Sequence, residues 1–510
     1  MAEVDRAAGV IQDARGFFVV SDTPALAHDW LVEATVSDLQ EAMASGKVTS
    51  AGIVMAYLER IAKYDREGPC LNTVLEVNPD AVQTAEALDA ERSRSGPRGP
   101  LHGIPVLVKD NIDTHDKMHT SAGSRALADS YAPEDSFVAG RLRQAGAVIL
   151  GKANMTEWAN FLTRNMPGGY SSRGGQVLCP YGPGKFSCGG SSSGSGASVA
   201  ANLVTVAIGT ETSGSILSPA TCNSVVGIKP TVGLVSRRGI IPIMTSQDTA
   251  GPLARTVADA AILLGAIAGV DDGDPVTLTS IDKAHKDYTR FLDKDALKGA
   301  RLGVPREAYV RLDPDQLALM ESLIQKLRSE GATVIDPVEM PEVKELTDNT
   351  AMLYEFKPAL NAYLSRLAPH VPVHTLRDLI QFNARDPERM LKYGQVLFTA
   401  ADEKSGNLTE PEYIRSRARD VELSRARGID RVIDAFSLDA LVVPGNSGAG
   451  VSARAGYPSV CVPGGYAASG QPLGLTFTAR AYTEPVLISL AYAFEQATNS
   501  RRPPDLDSLK

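Results

Sequence analysis

Short, wholly apolar runs alternate along this chain with stretches whose apolar residues recur every three or four positions, and this alternation restricts the fold most. IPVLV (104–108) reads as a buried strand ending at Lys109, and EDSFVAGRLRQAGA (134–147) as a helix feeding the strand AVILG. Runs of this length, apolar at every position, suit strands covered on both faces. VTVAIGT (204–210), SVVGIKP (224–230), RLGVP (301–305), TVIDPVEM (333–340), LDALVVPG (438–445), SVCVPGG and LGLTFTA continue the strand set. Helical periodicity covers 27–64, with Ser50 a candidate N-cap, then 79–93, TVADAAILLGAIAG, DPDQLALMESLIQKLRSEG and EPVLISLAYAFEQAT. The pattern predicts an α/β fold.

A length of 510 residues would allow several domains. No internal repeat appears, however, and the Gly/Pro breaks are short enough to be loops rather than linkers. The expectation is an N-terminal extension at 1–26 and a single domain over 27–510, with a mostly helical cap region at about 341–437. The formal net charge of −9 suggests no nucleic-acid or anionic-membrane footprint. The five cysteines (Cys70, Cys179, Cys188, Cys222, Cys461) are scattered without zinc spacing. The first residues lack a basic region followed by an apolar one, and no stretch approaches the ~20 apolar residues of a spanning helix. A cytoplasmic protein without membrane or nucleic-acid partners, metal or cofactor, monomeric or homodimeric, is therefore expected.

Between 168 and 252 glycine and serine dominate, and here the chemistry must be sought. Gly190-Ser191-Ser192-Ser193-Gly194 formally matches a GxSxG elbow, but that motif needs a strand directly before it and an acid and a histidine after it. Pro180–Ser187 does not read as a strand. Of the histidines (28, 102, 115, 119, 285, 370, 374) only His285, His370 and His374 lie downstream, all in polar helical or loop sequence. GGSSSGSGAS lacks the lysine of a Walker A loop, and no Rossmann, HExxH or EF-hand pattern occurs.

CGGSSSGSGASVAANLVTVAIGTETSGSILSPATCNSVVGIKPTVGLVSRRGIIP (188–242) closely resembles the signature of the amidase signature family. GIPVLVKDNID (103–113) resembles that family's lysine segment, DTAGPLARTVADAA (248–261) the helix after the signature, and AGYPSVCVPGG with GQPLGL its closing strands. The resemblance spans nearly the whole chain. It implies a mixed central β-sheet covered on both sides by helices, no cofactor, and a triad of Lys109, Ser191 and Ser215 with a cis peptide bond before Ser191. It also implies an oxyanion site built from the backbone N–H groups of Thr212, Ser213, Gly214 and Ser215.

The physical logic stands beside the resemblance. A serine hydroxyl is a weak nucleophile until a base takes its proton. A lysine buried among hydroxyls rather than carboxylates loses proton affinity and supplies that base, with Ser191 as relay. Taken singly, Lys109 would read as a strand-end charge, Ser191 as a turn hydroxyl and Ser215 as an N-cap, while Asp110 and Asn111 read as turn or capping groups.

Ser213 stands where many family members have glycine, Glu211 where they have aspartate, and Leu217 and Ser218 where many carry an arginine. The last departure weakens any reading that needs a buried cation for an acidic substrate. MLYEFKPALNAYL (352–364), TLRDLIQFNARDPE (375–388) and SSRGGQ (171–176) resemble the peptide amidase branch, which removes C-terminal amides, although GNSGAGVSAR (445–454) is shorter than that branch's loop. The expected substrate is thus a small-molecule or peptide amide. An aryl acylamidase or broad aliphatic amidase, and the glutaminase subunit of a tRNA-dependent amidotransferase, are the alternatives.

Overall fold

The computed structural model describes residues 10–12, 18–20 and 28–509, so the extension expected at 1–26 falls mostly outside the described residues. Eleven strands form one mixed sheet. In chain order they are β1 (Val74–Val77), β2 (Pro105–Lys109), β3 (Val148–Ala153), β4 (Val206–Glu211), β5 (Val226–Lys229) and β6 (Thr249–Ala254), then β7 (Arg301–Pro305), β8 (Thr333–Val338), β9 (Ala440–Pro444), β10 (Ser459–Tyr466) and β11 (Pro472–Thr478). Their spatial order is β8-β7-β9-β11-β10-β5-β6-β4-β2-β3-β1.

Every residue of β2, β3, β4, β5 and β6 is buried, as expected for strands covered on both faces. β2 runs parallel to β3 and β4, while β6 is antiparallel to both β4 and β5. β2, β4 and β5 therefore share one direction, and their last residues, Lys109, Glu211 and Lys229, emerge at the same end of the sheet. That end is where α/β sheets place their reactive crevices.

Two helical readings need correction. The span 27–64 is not continuous: it divides into His28–Leu31, Val36–Ala44, Ser50–Arg60 and Ile61–Arg66. Gly46 breaks it with φ +72°, and Thr35 caps the Val36–Ala44 helix by accepting from Asp38 N. Ser50 is not the N-cap; Thr49 takes that role by accepting from Gly52 N, and Ser50 Oγ instead donates to Gly103 O.

The segment 341–437 contains the helices Thr350–Leu364, Leu376–Arg385, Val396–Asp402, Pro411–Ser424 and Asp430–Phe436. The first three bury their apolar faces in a second core, distinct from that of the sheet, where Phe356, Leu360, Leu379 and Phe398 meet Trp158, Phe161, Ile243 and Met244. Phe161 lies 4.6 Å and Phe398 5.3 Å from Phe356 between ring centres.

The helix Ser193–Ala200 explains the glycine content of the central segment. A Cβ on Gly194 would stand 2.2 Å from Thr73 O and 2.4 Å from Asn154 O, so the helix can lie against this backbone only if the position is glycine. Gly194→Ala is therefore expected to destabilise the protein by about 2–3 kcal/mol. In Gly140→Ala, within the helix Phe137–Gln144, the new methyl meets nothing within 4 Å and the higher helix propensity of alanine should leave stability unchanged or slightly raised. Thermal melting of the two variants side by side checks this pair.

Candidate active site

Lys109 closes β2 with its side chain wholly shielded from solvent. Its Nζ donates to Ser191 Oγ at 2.8 Å and to Thr210 Oγ1 at 2.9 Å, with Thr210 O at 3.3 Å. No carboxylate touches it. Burial drives its proton affinity down from the ordinary 10.5 to about 7, opposed only partly by the more distant charges of Glu211 and Asp248. Burial thus leaves part of this lysine neutral near pH 7, whereas a solvated one is fully charged.

Ser191 follows a cis peptide bond, Gly190-Ser191. The chain can pass here because Gly190 has no side chain: a Cβ would approach Thr156 Oγ1 to 2.6 Å. Thr156 N donates to Ser191 O, and Ser192 N donates to Ser215 O at 3.2 Å. That last bond ties the Ser191 segment to the Ser215 turn. The structure thus brings Lys109, Ser191 and Ser215 to one place. The Lys109–Ser191 contact is made, while no hydrogen bond joins the hydroxyls of Ser191 and Ser215. Ser215 retains 9% of its surface.

Of the four backbone donors expected around the turn, three remain open. Among the described residues no protein acceptor takes the N–H of Thr212, Ser213 or Ser215. Gly214, with φ +86°, is different: its N–H donates to Glu211 Oε1 at 2.7 Å, because the preceding carboxylate folds back under the turn. Ile216 N and Leu217 N donate to Glu211 Oε2 at 2.8 and 3.1 Å.

Several residues at the site went unassigned in the sequence. Thr210 receives both Lys109 Nζ and Asn111 Nδ2 on one hydroxyl, and Asn111, read as a turn group, thereby reaches the lysine's own partner. Asp110 does serve its turn, accepting from Ser121 Oγ and Gly123 N. Ser192 Oγ donates to Thr210 O and accepts from Thr210 N. Asp248 accepts from Thr212 Oγ1 and from the N–H groups of Ile243 and Met244, and burial pushes its carboxyl up to about 6. Thr210 and Glu211 were visible only as the polar end of a strand run, and only the folded turn shows which atoms they meet. The described histidine side chains make their hydrogen bonds elsewhere, His102 to Leu88 O and His119 to Glu76, for example.

A cavity of about 360 Å³ reaches this cluster at Asn111, Thr210, Glu211 and Thr212, while Lys109, Ser191 and Ser215 lie outside its lining. Asn111, Thr210, Glu211, Thr212 and Asp248 form its polar floor, Ile240–Ile243 one wall, and Ala359, Ala362 and Tyr363 of the helix Thr350–Leu364 another. Its arginines are already neutralised: Arg237 by Asp274, Arg238 by Asp271 and Arg366 by Glu134. Among the described residues no group of three His, Cys, Asp or Glu could hold a metal ion, and no helix is long and apolar enough to cross a membrane.

Comparison with known proteins agrees over most of the chain. The family described as Amidase matches residues 52–488. A probable amidase of Arabidopsis thaliana is 44% identical, covering 92% of this chain and 91% of its own. The crystal structure of the peptide amidase from Stenotrophomonas maltophilia superposes with a TM-score of 0.87 at 47% identity, covering 93% of this chain and 99% of its own. One chain of the glutamyl-tRNA(Gln) amidotransferase of Azorhizobium caulinodans is 34% identical over 92% of this chain and 97% of its own.

The buried lysine has a measurable signature independent of any reaction. Its folded proton affinity lies below that of the unfolded chain, so the unfolded state binds the extra proton between about pH 7 and 10.5 and stability rises with pH across that window. Lys109→Met removes the effect. The wild type is expected to gain on the order of 4 kcal/mol relative to this variant between pH 6 and pH 10.5, read from denaturant unfolding at both ends. A flat difference would mean that Lys109 is charged in the folded protein.

Proposed function

Given that the chain belongs to the Amidase family and is a hydrolase of amide C–N bonds, we propose that it cleaves carboxylic amides through Ser215, with Ser191 as proton relay and Lys109 as base. The observation that carries this reading is the 2.8 Å contact from Ser191 Oγ to a lysine that burial leaves partly neutral. Ser215 Oγ bonds to the amide carbon, its proton passes to Ser191, and the Ser191 proton passes to Lys109 Nζ. The carbonyl oxygen, now anionic, lies against the open N–H groups of Thr212, Ser213 and Ser215. Collapse breaks the C–N bond as the proton returns through Ser191 to the leaving nitrogen, releasing ammonia or an amine. Water then repeats the sequence against the acyl-enzyme and frees the acid. Gly214 supports this site by shape rather than as a donor, since its N–H is taken by Glu211.

The substrate we favour is the C-terminal amide of a peptide. The 47% identity to a peptide amidase supports it. So does a cavity with apolar walls and no unpaired cation to receive an acidic group. In this reading 27–510 works as one domain, and the helices of 341–437 are the cap that shapes recognition through Ala359, Ala362 and Tyr363. The likeness to a chain of an amidotransferase favours a second reading, a glutaminase that needs partner chains.

The purified chain alone is expected to release ammonia from a blocked dipeptide amide, faster than from anilides or simple aliphatic amides, and without glutamine dependence. Turnover only with added partner chains would select the second reading. Ser215→Ala should lower kcat by at least about 10⁴-fold with the fold intact. For the wild type, kcat should rise with pH through about 7 as Lys109 loses its proton. Lys109→Ala should lose both most of the activity and that acid limb; a limb that persisted in this variant would remove Lys109 as the base.

A further inference from the structure

Glu211 has no role in the proton relay, yet its carboxylate is fully engaged beside it. Its two oxygens receive three backbone N–H groups, those of Gly214, Ile216 and Leu217, which bracket Ser215 on both sides in sequence. It is 1% exposed, ends β4, and sits at the strand ends with two buried lysines, Lys109 on β2 and Lys229 on β5. Neither lysine touches it. Lys109 is bonded to hydroxyls, and Lys229 to the carbonyls of Tyr457 and Ser452.

We propose that Glu211 is the positioning residue of this site: it fixes the turn that presents Ser215 and supplies buried negative charge at the strand ends from which Lys109 and Lys229 emerge. The inference rests on the reading of Ser215 and Lys109 given above. By holding the N–H groups of Gly214, Ile216 and Leu217 beneath the turn, the carboxylate leaves those of Thr212, Ser213 and Ser215 pointing away from it, unpaired. A neutral amide in its place could accept from part of this set but would turn its own N–H₂ toward the remaining donors. Its charge also reaches Lys109, where Glu211 and Asp248 are the two anions that favour the ammonium form. Lys229 feels Glu211 and Glu484 in the same way. The glutamate side chain is one methylene longer than the aspartate many family members carry, and here that length spans from the end of β4 to Leu217 N.

Glu211→Gln and Glu211→Asp separate the two roles. The Gln variant is expected to lose about 100-fold in kcat as the turn loosens, and the acid limb of its kcat profile should move to lower pH by about one unit, because Lys109 loses an anion that favours its charged form. The Asp variant keeps the charge, so its limb should stay in place while kcat falls by about tenfold from the shortened reach. Asp248, the other anion facing Lys109, has its carboxyl raised to about 6 and titrates in the same window in both variants, so it is the separation between the Gln and Asp limbs that reports the charge of Glu211. Circular dichroism and thermal melting establish that the variants fold; should Gln fail, Asn and Asp at this position repeat the comparison with one shorter length. Wild-type kcat in the Gln or Asn variant would overturn the role in the turn, and an unmoved limb would overturn the role of the buried charge. If instead the wild-type limb survives Lys109→Ala, the reading of the base fails, whatever the Glu211 variants do.

Discussion

A fully buried lysine with no carboxylate in contact is the constraint around which the site is arranged. Burying an ammonium ion with no carboxylate in contact is costly, and the usual relief is loss of the proton. Among the described residues two more lysines are buried, and the comparison shows what sets Lys109 apart. Lys152 donates to Ile112 O and Thr120 Oγ1, in the field of Asp110, Asp113 and Asp116. Lys229 donates to two backbone carbonyls. Lys109 alone among the three meets a serine hydroxyl, Ser191, held in turn against the Ser215 segment through Ser192 N. All three have their affinity lowered by burial, but only this one is tied through a serine hydroxyl to the Ser215 turn.

Holding that arrangement requires backbone to pack on backbone. Gly189, Gly190, Gly194 and Gly196 each face an atom within 3 Å of where a Cβ would stand: backbone for Gly189 and Gly194, and the side chains of Thr156 and Pro219 for Gly190 and Gly196. The serines of the same segment answer the polar atoms that such close packing buries: Ser192 bonds Thr210 at both N and O, Ser193 bonds Gly189 O and Ser195 bonds Ile208 O. The Gly/Ser content is therefore a packing solution. Glycine permits the approach, and serine supplies a donor small enough to fit where water has been excluded.

Much of this was legible in the sequence because the governing features are local. The apolar runs became β2, β3, β4 and β5, and the mixed sheet and the cis bond before Ser191 agree with what the family resemblance implied. The errors were of a different kind. Ser50 and Thr49 are both sound caps by composition, and only the break at Gly46 and the contact of Ser50 with Gly103 O decide between them. Gly214 was grouped with the open donors, yet the carboxylate three residues earlier turns back to claim its N–H. Thr210 and Asn111 meet through a hydroxyl shared across strands, a relation carried by the fold rather than by spacing along the chain.

The same division separates the reaction from its substrate. The groups we propose to react stand on strand ends and a short turn, held by the backbone of one sheet. The cavity beside them borrows its wall from Ala359, Ala362 and Tyr363 on a helix that belongs to the second core. Few polar ties join that helix to the sheet side: Tyr363 donates to Asp113, and Glu355 accepts from Thr245 and Ser246. A change in helix sequence thus alters the wall without disturbing Lys109, Ser191 or Ser215. In the reading proposed above, the arginines around this cavity are each matched by a carboxylate, so selection by charge is weak and the shape of the apolar walls is left to distinguish one amide from another.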